Sequence, residues 1–206
     1  AAVGHVGGVG KDGMGVGVIL AAEQVGGRAV AVDATHVYWA LGCDPPGCCV
    51  GGAEIARVPL GGGSVETVAA ASVPAAAALA LDETHVYWTS ATAGIWRVSK
   101  SGGLPEPLLA EGVFGAIVLA GGAVYAAGYL PSPSSAWSSD MYRIDTAGGG
   151  AERLTTGELV QSLAADATHL YWGSCTTGVW RMPLGQDAAE QIATYIPFCD
   201  ERRPRL

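Results

Sequence analysis

Thr-His-Val-Tyr-Trp runs from Thr35 to Trp39 and again from Thr84 to Trp88, Thr-His-Leu-Tyr-Trp follows from Thr168 to Trp172, and a degenerate copy surrounds Val124-Tyr125. A chain that repeats itself cannot fold by burying one unique core. Each copy must be a supersecondary unit that hides its apolar faces against its neighbours. The spacing sets the size of that unit. From Tyr38 to Tyr87 is 49 residues, from Tyr87 to Tyr125 is 38, and from Tyr125 to Tyr171 is 46, the length of a four-stranded β-propeller blade, about 40 to 50 residues.

Turn signals cut the second copy into four short strands. Ala75 to Leu81 is an apolar run ended by Asp82-Glu83-Thr84, His85 to Ser90 a strand ended by a turn to Gly94, Ile95 to Ser99 a third, and Pro105 to Ala110 a fourth after Ser101 to Leu104. The first copy gives strands at 29–32, 36–41, 54–59 and 65–69, the third at 115–119, 123–129, 141–145 and 152–155, and the fourth at 159–165, 169–174, 179–183 and 190–193. Apolar and polar residues do not alternate cleanly in Ile95-Trp96-Arg97-Val98, as expected where both faces of a sheet meet other sheets. Ala69 to Ala80 is alanine-rich, but Pro74 interrupts it and its counterparts are strands, so it too is read as strand. The expected fold is all-β: a propeller with four four-stranded antiparallel blades, at about 28–72, 73–112, 113–157 and 158–195.

Tyr87-Trp88-Thr89-Ser90 with Ile95, Arg97 and the Gly102-Gly103 turn resembles the repeat of YWTD-like β-propellers. It is similar, more closely still, to uncharacterised bacterial six-bladed propellers with Thr-His-Val-Tyr-Trp and Arg-Val-Pro-Leu-Gly-Gly repeats. Matching positions are Tyr38, Trp39, Ile55 and Arg57, then Tyr125, Met141 and Arg143, then Tyr171, Trp172, Val179 and Arg181, so the resemblance spans about residues 28 to 195. Leu41, Ser90 or Ser174 stands where that motif has aspartate. The resemblance implies a six-bladed ring, a fold used mostly for binding. Four copies then make an open arc of a larger, about six-bladed ring, although propellers of 4 blades also exist. Residues 1–27 are read as a glycine-rich segment in which Gly4 to Gly17 is loop, and Gly15 to Ala22 is the remnant outer strand of a preceding blade whose other strands are absent. Residues 196–206 are a C-terminal tail.

Composition excludes several partners. The net charge is −8, with two lysines, Lys11 and Lys100, so there is no clustered cationic surface for nucleic acid. No apolar run reaches the roughly 20 residues of a membrane span. The chain opens on Ala, so a secretory signal is expected to have been removed or to lie upstream. Asparagine is absent, which excludes N-glycosylation and, with nine arginines to two lysines, fits a GC-rich genome. Cys43, Cys48, Cys49, Cys175 and Cys199 have neither redox nor metal spacing. They read as disulfide candidates of an extracytoplasmic (periplasmic, secreted or cell-surface) protein, and Pro45-Pro46-Gly47 places Cys43 to pair with Cys48 or Cys49.

Few residues point to chemistry. Asp33, Asp82 and Asp166, each followed by Thr and His, recur by symmetry and read as turn caps rather than metal ligands; Arg57, Arg97, Arg143 and Arg181 read as stems packed between blades with guanidinium groups on turn carbonyls. Gly8-Val-Gly-Lys-Asp-Gly13 lacks the flanking strand and helix of a dinucleotide site. No catalytic set, metal site or cofactor is expected. Residues that break the repeat are free of the structural explanation: the cysteine loop from Gly42 to Gly52 with Asp44, the insertion from Tyr129 to Asp140 with Trp137, and Cys175. All join second strands to third strands and so emerge on one face. The expected function is non-enzymatic binding of a protein, peptide or glycan there, with Asp44, Tyr129, Trp137 and Asp140 as ligand-binding candidates. Alternatives are a lyase or hydrolase acting at the central channel and a purely structural segment of a larger surface protein.

Overall fold

An aspartate at the head of a tight turn accepts hydrogen bonds from the amides two and three residues on, and this chain uses that device in three of its four repeats. The amides of Thr35 and His36 each donate to Asp33 Oδ1 at 2.8 Å, and Asp82 and Asp166 hold Thr84 and His85, and Thr168 and His169, in the same way. The threonine hydroxyl also donates to the carboxylate, and its oxygen lies within hydrogen-bond distance of histidine Nδ1, 2.8 Å away in each of these three repeats. The turn fixes where the following strand begins.

A computed structural model describes residues 3–8, 18–25, 27–41, 53–90, 93–131, 139–155, 158–186 and 188–194, all as strands and their connections, with no helix. A hairpin of β1 (Val3–Gly8) and β2 (Val18–Val25) comes first. Blade 1 is β3 (Gly27–Val32), β4 (His36–Leu41), β5 (Ala53–Pro59) and β6 (Glu66–Val73); blade 2 is β7 (Ala76–Leu81), β8 (His85–Ser90), β9 (Gly94–Ser99) and β10 (Glu106–Leu109). Blade 3 is β11 (Val113–Ala120), β12 (Ala123–Tyr129), β13 (Asp140–Asp145) and β14 (Glu152–Arg153); blade 4 is β15 (Val160–Ala165), β16 (His169–Ser174), β17 (Gly178–Pro183) and β18 (Glu190–Thr194). Every blade is an antiparallel meander in sequence order, and the innermost strands β3, β7, β11 and β15 lie side by side in turn. The result is a propeller arc that stays open, since blade 4 does not pack back on blade 1.

The N-terminal reading needs correction. The strand is Val18–Val25 rather than 15–22, and it is paired: Val3–Gly8, within the tract read partly as loop, forms its antiparallel partner, with Gly4 opposite Gln24 and Gly8 opposite Val18. Glycine hides strand character from propensity arguments, yet the backbone ladder needs no side chain. Val6 packs on Val37, Trp39, Ala56 and Val58, covering the outer face of blade 1.

Adjacent blades share apolar cores built from alternate residues of the central strands. Tyr38 and Ala40 meet Val86 and Trp88 between blades 1 and 2; Tyr87 meets Val124 and Ala126 between blades 2 and 3; Tyr125 meets Leu170 and Trp172 between blades 3 and 4. Both faces of β8 and β12 are therefore buried, whereas β16 is buried only at alternate positions because no sheet among the described residues covers its other face.

Arginine and glutamate tie each blade together at one end. Arg57, Arg97, Arg143 and Arg181 each pair across strands with a glutamate nine residues on: Glu66, Glu106, Glu152 and Glu190. Two of them also reach the next blade. Arg57 Nη1 donates to the Lys100 carbonyl at 2.9 Å, and Arg97 Nη1 donates to that of Thr146. Lys100 returns the contact from blade 2, its Nζ 2.7 Å from Asp33 Oδ2 and over the Tyr38 ring.

The Asp82–Tyr87 bond, 2.7 Å from phenol to Oδ2, makes stability pH-dependent from both sides. Burial pushes the Asp82 carboxyl up, but hydrogen bonds from Tyr87 and from the amides of Thr84 and His85 outweigh it and hold it below the usual range. Burial, then Asp82, raises Tyr87 to about 12. A depressed carboxylate stabilises above its unfolded pKa of about 4 and loses that contribution as pH falls further; a raised phenol stabilises below about 10 and loses it as pH climbs. We expect a plateau of stability between those limits. Asp82→Asn is expected to lower the plateau and shrink both limbs, measured as urea midpoints against pH. Unchanged limbs in the variant would show that this pair does not govern them.

Candidate functional site

The connections between second and third strands lie at the end of the blades opposite the aspartate turns, together with the connections from one blade to the next. On this face the repeats diverge. In blades 2 and 4 the third strand starts at a glycine with positive φ, Gly94 (79°) and Gly178 (110°), whereas blade 3 starts it at Asp140 after its long insertion.

A cleft of about 440 Å³ opens here between blades 3 and 4, lined among others by Val113, Gly115, Gly128, Tyr129, Ser139 and Gln161. Small residues create it. Gly115 sits in a bulge where β11 slips register against β12, and the space a Cβ would occupy there is open. Gly128, by contrast, is packed so closely that a Cβ would lie 2.0 Å from the Val113 carbonyl. The insertion is anchored across the cleft: Val160 N–H donates to the Ser139 carbonyl at 3.0 Å, and Ser139 Oγ donates to the Val160 carbonyl at 2.9 Å. Asp140 is buried at 3%, and Arg153 Nη1 lies 3.5 Å from its Oδ2. It holds the root of the insertion. Tyr129 is half-buried on the cleft wall.

Of the ligand-binding candidates, Tyr129 and Asp140 thus fall at one place, at opposite ends of the β12–β13 connection. Asp44 and Trp137 lie outside the described residues, as do Cys43, Cys48, Cys49 and Cys199, and with them the local pairing expected of Cys43. Cys175 is disulfide-bonded, and its amide donates to the Leu159 carbonyl at 3.1 Å. Among the described residues no group of three His, Cys, Asp or Glu side chains is placed to hold a metal, and no helix is long and apolar enough to cross a membrane. The cleft itself was not legible, because it depends on where β11 slips register against β12.

No family profile matches the chain, and no curated protein sequence matches it. Solved structures do. A chain of a nidogen–laminin complex is 14% identical, with TM-score 0.54 over 88% of this chain and 84% of that one. A putative TolB from Agrobacterium tumefaciens is 16% identical with TM-score 0.62, covering 86% of this chain and 65% of that one. The computationally designed protein Ika4 is 14% identical with TM-score 0.56, over 79% and 93%. At such identities the likeness shows the β-propeller fold.

Proposed function

We propose that this chain is a non-enzymatic, extracytoplasmic propeller module that binds a protein partner through the face carrying its divergent loops. The observation behind this reading is the asymmetry of the disc. One end of the blades repeats an Asp-x-Thr-His turn in three blades and an Arg-Glu pair in all four, while the other carries the insertion, the cysteine loop and the 440 Å³ cleft beside Tyr129. Loops on a rigid scaffold are where binding residues accumulate. A tyrosine at a cleft edge offers a large rigid contact and a polar tip. The match to a chain from a nidogen–laminin complex is a case of this architecture within a protein–protein assembly. The finer assignment to YWTD-like, six-bladed rings rests on the Tyr-Trp and Arg positions, and the extracytoplasmic reading on five cysteines, with Cys175 in a disulfide.

Selection from a random-peptide display library on the immobilised chain tests this. Tyr129→Ala is expected to weaken the selected binders at least about 10-fold, as hot-spot tyrosines do, and Glu83→Ala, on the opposite face, to leave them unchanged. Binders indifferent to Tyr129 but lost with Glu83 would place recognition on the wrong face and end the proposal.

A further inference from the structure

Blade 3 lacks the carboxylate that the other blades carry, and a cavity lies beside the phenol that lost its acceptor. Leu81 pairs with Val86 in blade 2 as Leu119 pairs with Val124 in blade 3, so Ala120 occupies the place of Asp82, Gly122 that of Thr84 and Ala123 that of His85. The tyrosine remains. Tyr87 and Tyr171 donate to Asp82 and Asp166 at 2.7 and 2.8 Å, whereas Tyr125, only 3% exposed, makes no hydrogen bond among the described residues. Its arginine partner is also under-used: Arg143 has the Glu152 contact at 3.6 Å, with none of the turn-carbonyl bonds that Arg57 and Arg97 make. Between blades 3 and 4, where those bonds would run, a cavity of about 240 Å³ is lined by Tyr125, Arg143, Glu152, Leu154, Met182 and Gln186.

We propose that this cavity binds a small organic acid, whose carboxylate takes the place of the missing aspartate. The phenolic O–H of Tyr125 and the N–H groups of Arg143 donate to the carboxylate, and the hydrocarbon body packs on Leu154 and Met182. The volume admits an acid of several carbons. Glu152 does not forbid an anion here, because blade 2 seats Asp82 and Glu106 around the same tyrosine–arginine pair. The site lies at the end of the blades away from the loops and is independent of the protein-binding proposal.

Thermal unfolding in sodium 2-methylpropanoate tests it, with the neutral 2-methylpropanamide and sodium chloride at equal ionic strength as controls. A ligand that binds the folded state at about 100 times its Kd raises the midpoint by roughly 5 °C or more in a chain of this size. We expect that rise with the acid alone. Tyr125→Phe removes a hydrogen bond to a charged group and is expected to weaken binding at least about 10-fold. Ala120→Asp supplies the chain's own carboxylate and is expected to raise the midpoint without ligand and abolish the response. No saturable rise in the natural chain, an equal rise with the amide, or a full response in Tyr125→Phe would each overturn the proposal. Should Ala120→Asp fail to fold, Tyr125→Phe decides alone.

Discussion

Gly94→Ala is expected to lower the thermal midpoint by about 10 °C or more. Gly94 opens β9 with φ of 79°, a left-handed conformation that costs an L-residue roughly 1 to 2 kcal/mol. Strain is the smaller part. A Cβ there would stand 2.0 Å from the Leu109 carbonyl and within 2.9 Å of the Glu111 backbone, and those atoms belong to the fourth strand and to the connection leading into blade 3. They cannot step aside without breaking the Gly94-to-Gly112 backbone bond of 3.0 Å. Gly148 is the control. Its φ of 96° is equally unfavourable for alanine, but nothing lies within 4 Å of its Cβ position. Gly148→Ala should cost about 1 kcal/mol, near 3 °C. Differential scanning calorimetry of the two variants separates strain from collision, and midpoints within a few degrees of each other would mean that the second-to-third-strand turn is not rigidly seated. Because that turn lies on the loop face, the same measurement reports how firmly the proposed binding surface is held.

The features legible in the sequence are those repeated by symmetry. His36–Leu41, His85–Ser90 and His169–Ser174 begin and end where turn chemistry and the Tyr-Trp pair place them, because the Asp-x-Thr-His turn is a local device that needs no tertiary information. The nine-residue Arg-to-Glu spacing was equally visible and went unread. It marks the cross-strand pairs of third and fourth strands in all four blades. The loss of the blade 3 carboxylate was recoverable too, by aligning Ala120 with Asp33, Asp82 and Asp166, but only the structure shows the cavity beside Tyr125 and Arg143. The N-terminal hairpin was the hardest element to see. Its β1 strand, Val-Gly-His-Val-Gly-Gly, has too few side chains to carry a periodic signal.

The opening of the arc predicts that one substitution has two different costs. Tyr87 and Tyr171 hold the same place in their repeats, face the following side of their blades and donate to the corresponding aspartates, Asp82 and Asp166. Tyr87 is 1% exposed between Ile95, Phe114 and Val124, so Tyr87→Ala empties a packed interface and is expected to cost about 3 to 5 kcal/mol. Tyr171 is only partly covered, since among the described residues no further sheet lies beyond β16 and β17. Its removal forfeits one solvent-exposed hydrogen bond and some partly covered ring surface, a much smaller loss. Urea denaturation of both variants, run beside sedimentation of the unsubstituted chain, turns that difference into a measurement of closure. A monomer with unequal costs is the open arc. Equal costs would mean that a sheet covers blade 4 in solution: in a monomer the arc has closed on itself, and in a larger species a second copy supplies the sheet. Since Arg181 turns both Nε and Nη2 back onto Glu190, where Arg57 and Arg97 reach across to the next blade, the fourth blade keeps the chemistry of an interface it does not use in the single chain. That unused chemistry makes Tyr171, more than any core residue, the position where isolated and assembled states are expected to differ.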